Sequence, residues 1–145
     1  MTQLNFRYIT RAIILSNDCL LLCKQKQGNY TFLPGGHIEL GESATQALKR
    51  EINEEIGVKT LKLKKLTKYC PVPGYSDEIV NVYYAEVDKI KNSHLYNKFE
   101  NEEIKISKLT LNKLKKINSS EQIQNVLTKV SIYEYFNKIK KNLRY

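Results

Sequence analysis

No apolar run in this chain approaches the roughly 18 residues that a membrane-spanning helix needs. The N-terminus also lacks a signal peptide's apolar core. Both absences point away from a membrane partner. Cysteine is scarce: Cys19, Cys23 and Cys70 are odd in number and form no CxxC pair, so a reduced, cytoplasmic protein is the simplest expectation. Linkers, repeats and low-complexity segments are missing too. The 145 residues are therefore expected to form a single domain, 1–145, large enough to bury a core.

What is present has an ordinary globular balance, 41% hydrophobic and 27% charged. Acidic side chains are outnumbered, and the net charge is +9. Such a charge suggests a nucleic-acid surface. The lysines are spread through nearly every segment after residue 59, however, alongside abundant Asn and Ile. Compositional bias is the preferred explanation. A cationic surface still favours phosphate-bearing substrates.

Strands and helices alternate along the chain. Tyr8 to Leu15 is rich in β-branched residues, Cys19 to Cys23 is a second apolar run, and Ser16-Asn17-Asp18 between them reads as a hairpin turn. Thr31-Phe32-Leu33 reads as a short strand, ended by Pro34-Gly35-Gly36, which no regular element is expected to tolerate well. Ser43 with Gln46 makes a capping box and Gly57 a C-terminal stop, which predicts a helix between them. Leu61 to Tyr69 and Glu78 to Val87 are expected strands, separated by Pro71-Val72-Pro73-Gly74, and Ile104 to Ile106 is a last short one. Helices are expected over Thr110 to Ile117 and Glu121 to Ile139, the latter with Ile123, Val126, Val130 and Tyr133 on one face. Cys19 and Cys23 share a strand face and are expected to pack. Tyr133 and Tyr135 are expected in the core or an interface. The mixture indicates an α/β sandwich.

The chemistry is concentrated between Leu33 and Val58. On a helical wheel of ~100° per residue, Glu54 and Glu55 fall within ~60° on either side of Glu51. Ala44, Ala47 and Leu48 share that sector, with Ile52 and Ile56 on its flank, while Thr45, Gln46, Lys49, Arg50 and Asn53 take the other side. Clustered glutamates usually mark a solvated face. Here they share a face with the core, where unpaired charge is costly. Arg50 can reach Glu54 at i,i+4 and offset one charge. The remainder calls for a cation, and all-oxygen ligands indicate a hard one, Mg²⁺ or Mn²⁺. Gly35-Gly36 lets backbone approach a ligand, and the helix N-terminus beyond favours phosphate.

These residues resemble the Nudix hydrolase family. Gly36, five residues, Glu42, seven residues, Arg50-Glu51-Ile52, one residue, Glu54-Glu55, one residue, Gly57-Val58 reproduces the complete Nudix signature. The resemblance implies a Nudix-type α/β/α sandwich with a mixed sheet, and hydrolysis of a nucleoside diphosphate linked to some other group. It makes Glu51, Glu54 and Glu55 the metal ligands, joined by the Gly36 carbonyl, with Glu42 binding or steadying the site and Arg50 orienting the glutamates. The general base is implied to be Glu54 or a residue of the acidic run Glu100-Asn101-Glu102-Glu103, in which Glu100 or Glu103 is favoured as a supplementary ligand or base and a solvated acidic turn is the competing reading. Many relatives carry a tryptophan near Ile106, and this chain has none.

Substrate-binding candidates are Gly35, His37, Pro73, Tyr75 and Glu78. The segment Pro73-Gly74-Tyr75-Ser76-Asp77-Glu78 resembles a loop of ADP-ribose pyrophosphatases, and Tyr75 is placed to stack on a base or ribose. The competing reading is a plain turn. Leu33-Pro34-Gly35-Gly36-His37 resembles instead the compact MutT type, which acts on nucleoside triphosphates. RNA 5′-end processing is a third activity of the family, compatible with the charge. A catalytically inactive nucleotide-binding regulator would be expected to lose signature glutamates, and all are kept. Monomer and homodimer are both open.

Overall fold

The computed structural model describes residues 7–25, 31–90, 94–97, 102–118 and 125–139. Strands β1 (Tyr8–Ser16) and β2 (Cys19–Gln25) form the expected hairpin, its turn made by Asn17 and Asp18 at φ of 51° and 59°. Then come β3 (Thr31–Phe32), β4 (Gly35–His37), helix α1 (Ala44–Ile56), β5 (Thr60–Tyr69), β6 (Ile79–Val87), β7 (His94–Asn97), β8 (Glu102–Thr110), α2 (Leu111–Asn118) and α3 (Val126–Lys138).

The eight strands form one mixed sheet in the order β5-β6-β1-β2-β8-β7, with β3 beside β2 and β4 beside β1. Among the described residues only β1 and β6 pair in parallel. These two central strands are apolar on both faces, as strands covered on both sides must be. Ala12, Ile14, Tyr83 and Ala85 pack with Leu48, Ile52 and Ile56 of α1. Ile9, Ile13, Val80 and Val82 pack on the other face with Leu114 of α2 and with Ile132 and Tyr135 of α3. The layers are helix, sheet, helices. Exposed lysines 62, 64, 65 and 68 all lie on β5, at one end of the sheet.

Several expectations need correction. Pro34-Gly35-Gly36 does not simply end a strand: Gly35–His37 is itself β4, pairing with Ile9–Arg11 of β1. Pro34 precedes the strand, where its missing N–H costs nothing, and its carbonyl accepts from Ala12 N–H at 2.8 Å. The last long strand is β8, nine residues rather than three, because pairing along the whole of β2 carries it past the apolar Ile104–Ile106. In α3, Val126 is 47% and Tyr133 61% exposed. The buried stripe is Thr128, Ser131, Ile132 and Tyr135. Two small polar residues fill it because the Ser131 hydroxyl donates to the Leu127 carbonyl at 2.6 Å. Ile123 lies outside the described residues. Cys23 is buried, while Cys19 is only partly so.

Candidate active site

Helix α1 is capped as its sequence demands. The Ser43 hydroxyl accepts from Gln46 N–H at 3.2 Å, and the Gln46 carboxamide accepts from Ser43 N–H at 2.8 Å. Gly57 closes the helix in the left-handed region at φ 72°. With both ends fixed, the helix faces are fixed, and Glu51 and Glu55 are carried inward to 7% and 6% exposure.

Arg50 organises the carboxylates. Its Nε and Nη2 donate to the two oxygens of Glu42 at 2.8 and 3.1 Å, a bidentate pair. Nη1 donates to Glu51 at 3.1 Å and to Glu54 at 3.3 Å, and Nη2 also donates to the His37 carbonyl at 3.1 Å. Placing Arg50 with the outward residues of the wheel was therefore incomplete: its Cα faces out, but the long side chain folds back over the glutamates. Glu42 additionally accepts from Glu39 N–H at 3.0 Å. The Arg50 hydrogen bond, helped by that N–H, holds the Glu42 carboxyl below its ordinary range. The same bond raises Arg50 further above its already high value.

Behind this cluster lies the Gly35-Gly36 backbone. Gly35 N–H donates to Oε2 of Glu55 at 2.8 Å. A Cβ on Gly36 would stand 2.6 Å from Cδ of Glu51, so the missing side chain is the space that carboxylate occupies. Burial, with the nearby Glu55 charge adding to it, pushes the Cys23 thiol well above its usual value, which leaves it unreactive.

A cavity of about 580 Å³ joins these groups, lined by Gly35, Gly36, His37, Glu39, Arg50, Glu51 and Glu55 on one side. Arg11, Phe32, Leu33 and the start of α3 at Asn125, Leu127 and Thr128 line the other. A second, more open cavity of about 800 Å³ lies beyond Glu42 and is lined by Arg7, Tyr8, His37, Lys68 and Asn81 among others. Of the candidates from the sequence, Gly35, Gly36, His37, Arg50, Glu51 and Glu55 are thus brought together, and Glu42 and Glu54 are joined to them through Arg50. Pro73, Tyr75 and Glu78 lie in the β5–β6 connection and line neither cavity. Glu103 is in β8, opposite Tyr96, and Glu100 lies outside the described residues. Arg11 and the α3 start were not anticipated. The one signal for Arg11 was a lone cation inside a β-branched strand.

The donor set fits a hard divalent cation: it is all oxygen and anionic, buried at Glu51 and Glu55 and partly open at Glu54, and set against a backbone with no Cβ in the way. Among the described residues no three acidic, histidine or cysteine side chains stand together as a ready metal-holding group, and Arg50 is paired with Glu51 and Glu54. No helix among the described residues is long and apolar enough to cross a membrane.

A family model described as "NUDIX domain" matches residues 6–129. The chain is 33% identical over 103 residues to an ADP-ribose pyrophosphatase of Bacillus subtilis, an alignment covering 69% of this chain but only 54% of that protein. It thus spans about half that relative's length. It is 34% identical over 110 residues to nucleoside triphosphatase NudI of Escherichia coli, covering 70% of this chain and 74% of that protein. A crystal structure titled as an ADP compounds hydrolase superposes with a TM-score of 0.76 at 19% identity, covering 96% of this chain and 76% of the other. At that identity the likeness speaks for the fold.

Proposed function

The chain belongs to the NUDIX family, and from that premise we propose that it is a divalent-metal-dependent pyrophosphohydrolase, cleaving a P–O–P bond in a nucleoside diphosphate linked to a further group. The carrying observation is the Arg50 constellation, in which one guanidinium holds Glu42, Glu51 and Glu54 while Gly35 holds Glu55 beside the same cavity. Glu51, Glu54 and Glu55, with the Gly36 carbonyl, are the groups that would hold Mg²⁺ or Mn²⁺, and Glu42 steadies them through Arg50. Such a cation, when bound, supplies charge neutralisation at the phosphates and acidifies a water.

The chain's own residues account for the rest. Glu54, the most accessible of the three ligands, is the carboxylate best placed to accept a proton from the attacking water. Arg50 restrains it in position and keeps the cluster compact before substrate arrives. A base or ribose is accommodated between Phe32 and the start of α3.

For the substrate, ADP-ribose is the first choice, supported by the Bacillus subtilis relative and by the sequence resemblance of the Pro73–Glu78 segment, which itself lines neither cavity. A nucleoside triphosphate is the second reading, supported by the greater share of NudI that aligns. The test is a panel of ADP-ribose, dGTP, 8-oxo-dGTP, a dinucleoside polyphosphate and 5′-triphosphorylated RNA with Mg²⁺, products identified by mass. AMP released from ADP-ribose at the highest kcat/KM supports the first reading. Pyrophosphate released preferentially from a triphosphate replaces it with the second, and no product from any of them overturns both.

A further inference from the structure

Arg11 sits in the middle of β1, among apolar and β-branched residues, and is only partly exposed. Its Nη1 donates to two carbonyls, Leu33 at 3.0 Å and Gly35 at 2.8 Å. Its guanidinium lies over the Phe32 ring, 5.8 Å from the centroid. Withdrawing a cation from water is costly, so contacts this specific call for a purpose.

The backbone around Gly35 supplies one. The Gly35 N–H, in the Pro34–Gly35 peptide unit, donates to Glu55 at 2.8 Å, while Arg11 holds the Leu33 and Gly35 carbonyls, in the units on either side of it. Gly35 adopts φ 139°, a region that glycine enters freely and leaves as freely, so its backbone has little stiffness of its own. Pro34 before it has no N–H and is anchored through its carbonyl, which accepts from Ala12 N–H at 2.8 Å. The register places Arg11 directly opposite Gly35 on the neighbouring strand. Arg11, Gly35 and Glu55 thus form one chain of hydrogen bonds along the wall of the same cavity.

We propose that Arg11 is a positioning residue for the carboxylate site. By holding the Leu33 and Gly35 carbonyls it fixes the backbone on both sides of the Pro34–Gly35 peptide, whose N–H aims Glu55, and with it the Gly36 backbone against which Glu51 lies. The inference rests on the assignment of Glu51, Glu54 and Glu55 as cation ligands. A staple that only ties β3 and β4 to β1 would affect stability alone, and cation affinity separates the two roles. Partners of ligating carboxylates of this kind are worth about 10–100-fold in metal affinity.

The experiment is Mn²⁺ titration calorimetry on the full chain and on Arg11→Met and Arg11→Lys, each held below its own unfolding midpoint. Arg11→Met is expected to weaken Mn²⁺ binding about 10–100-fold. Arg11→Lys should recover only part of it, because one ammonium replaces a planar fork. In turnover, the loss should appear in kcat and shrink as Mn²⁺ is raised, with the substrate KM little changed. Wild-type Mn²⁺ affinity in Arg11→Met, with only a lower Tm, would reduce Arg11 to a staple and overturn the proposal. So would failure of both variants to fold. A wild-type protein that binds no Mn²⁺ overturns the ligand assignment itself, a result distinguishable from either.

Discussion

Gly36 and Glu51 stand so close that no methyl group fits between them: a Cβ on Gly36 would lie 2.6 Å from Cδ of the glutamate. Gly35, one residue earlier, is hemmed in by backbone instead, with its imagined Cβ 2.9 Å from Cα of Arg11. The two glycines should therefore fail differently. Gly36→Ala displaces a flexible side chain and is expected to fold with near-normal stability but to lose Mn²⁺ affinity. Gly35→Ala meets rigid backbone at a φ of 139° and should cost about 3 kcal/mol or more in urea unfolding. Equal losses of stability in both would refute the distinction.

Glu54 is a ligand candidate and the base candidate, and its side chain is partly exposed. Glu54→Gln preserves shape and should melt within a few degrees of wild type. Turnover should fall about 10²–10⁴-fold. Near-normal kcat would remove Glu54 from the mechanism.

The pairing of Glu42 with Arg50 has a pH signature. The carboxyl is held below the ordinary glutamate value of 4.5 by Arg50 and by Glu39 N–H. The folded state therefore binds this proton less readily than the unfolded state does. Its contribution is complete above that value and disappears as pH falls through the depressed one. Urea unfolding from neutral pH down to about pH 3 should show Glu42→Gln already destabilised at neutral pH, with a shallower acid decline than wild type. Parallel curves would show that the pair adds nothing to folding.

Among the described residues the hydroxyl of Thr10 is fully buried without a partner. Removing a lone buried polar atom while keeping its volume relieves its desolvation. Thr10→Val is expected to be neutral or to stabilise by about 1 kcal/mol. A loss of similar size would reveal a bond to that hydroxyl.

Tyr75 is 95% exposed. If it stacks on the adenine or ribose of ADP-ribose, Tyr75→Ala should raise KM for that substrate roughly tenfold, at the low end of what base–aromatic stacking contributes, and leave Tm unchanged. An unaltered KM would make the loop a turn between β5 and β6.

Much of this was legible in the sequence because the determinants are local. Ser43, Gln46 and Gly57 delimit α1 by hydrogen bonds made within one turn, and helical periodicity alone puts Glu51 and Glu55 inside. The parts that were not legible depend on contacts between distant residues. Gly35–His37 forms a strand because β1 supplies partners more than twenty residues away, overriding a Pro-Gly-Gly that reads as a break. Arg50 reaches Glu42 eight positions back, farther than helix spacing suggests. The inward face of α3 was misjudged because Thr128 and Ser131 satisfy their own hydroxyls or pack while looking polar. Arg11 went unnoticed because a cation in a strand reads as an outward position until the carbonyls it meets are known.

The lysines of β5 have a consequence beyond binding. A terminal strand offers an open row of backbone donors and acceptors to any extended chain that drifts past, including another copy of this one. Lysines 62, 64, 65 and 68 would confront their own counterparts in such a pairing. A sheet growing edge to edge into fibrils would have to stack like charges at every junction. Part of the +9 that resembles an appetite for polyanions is thus insurance against self-templating.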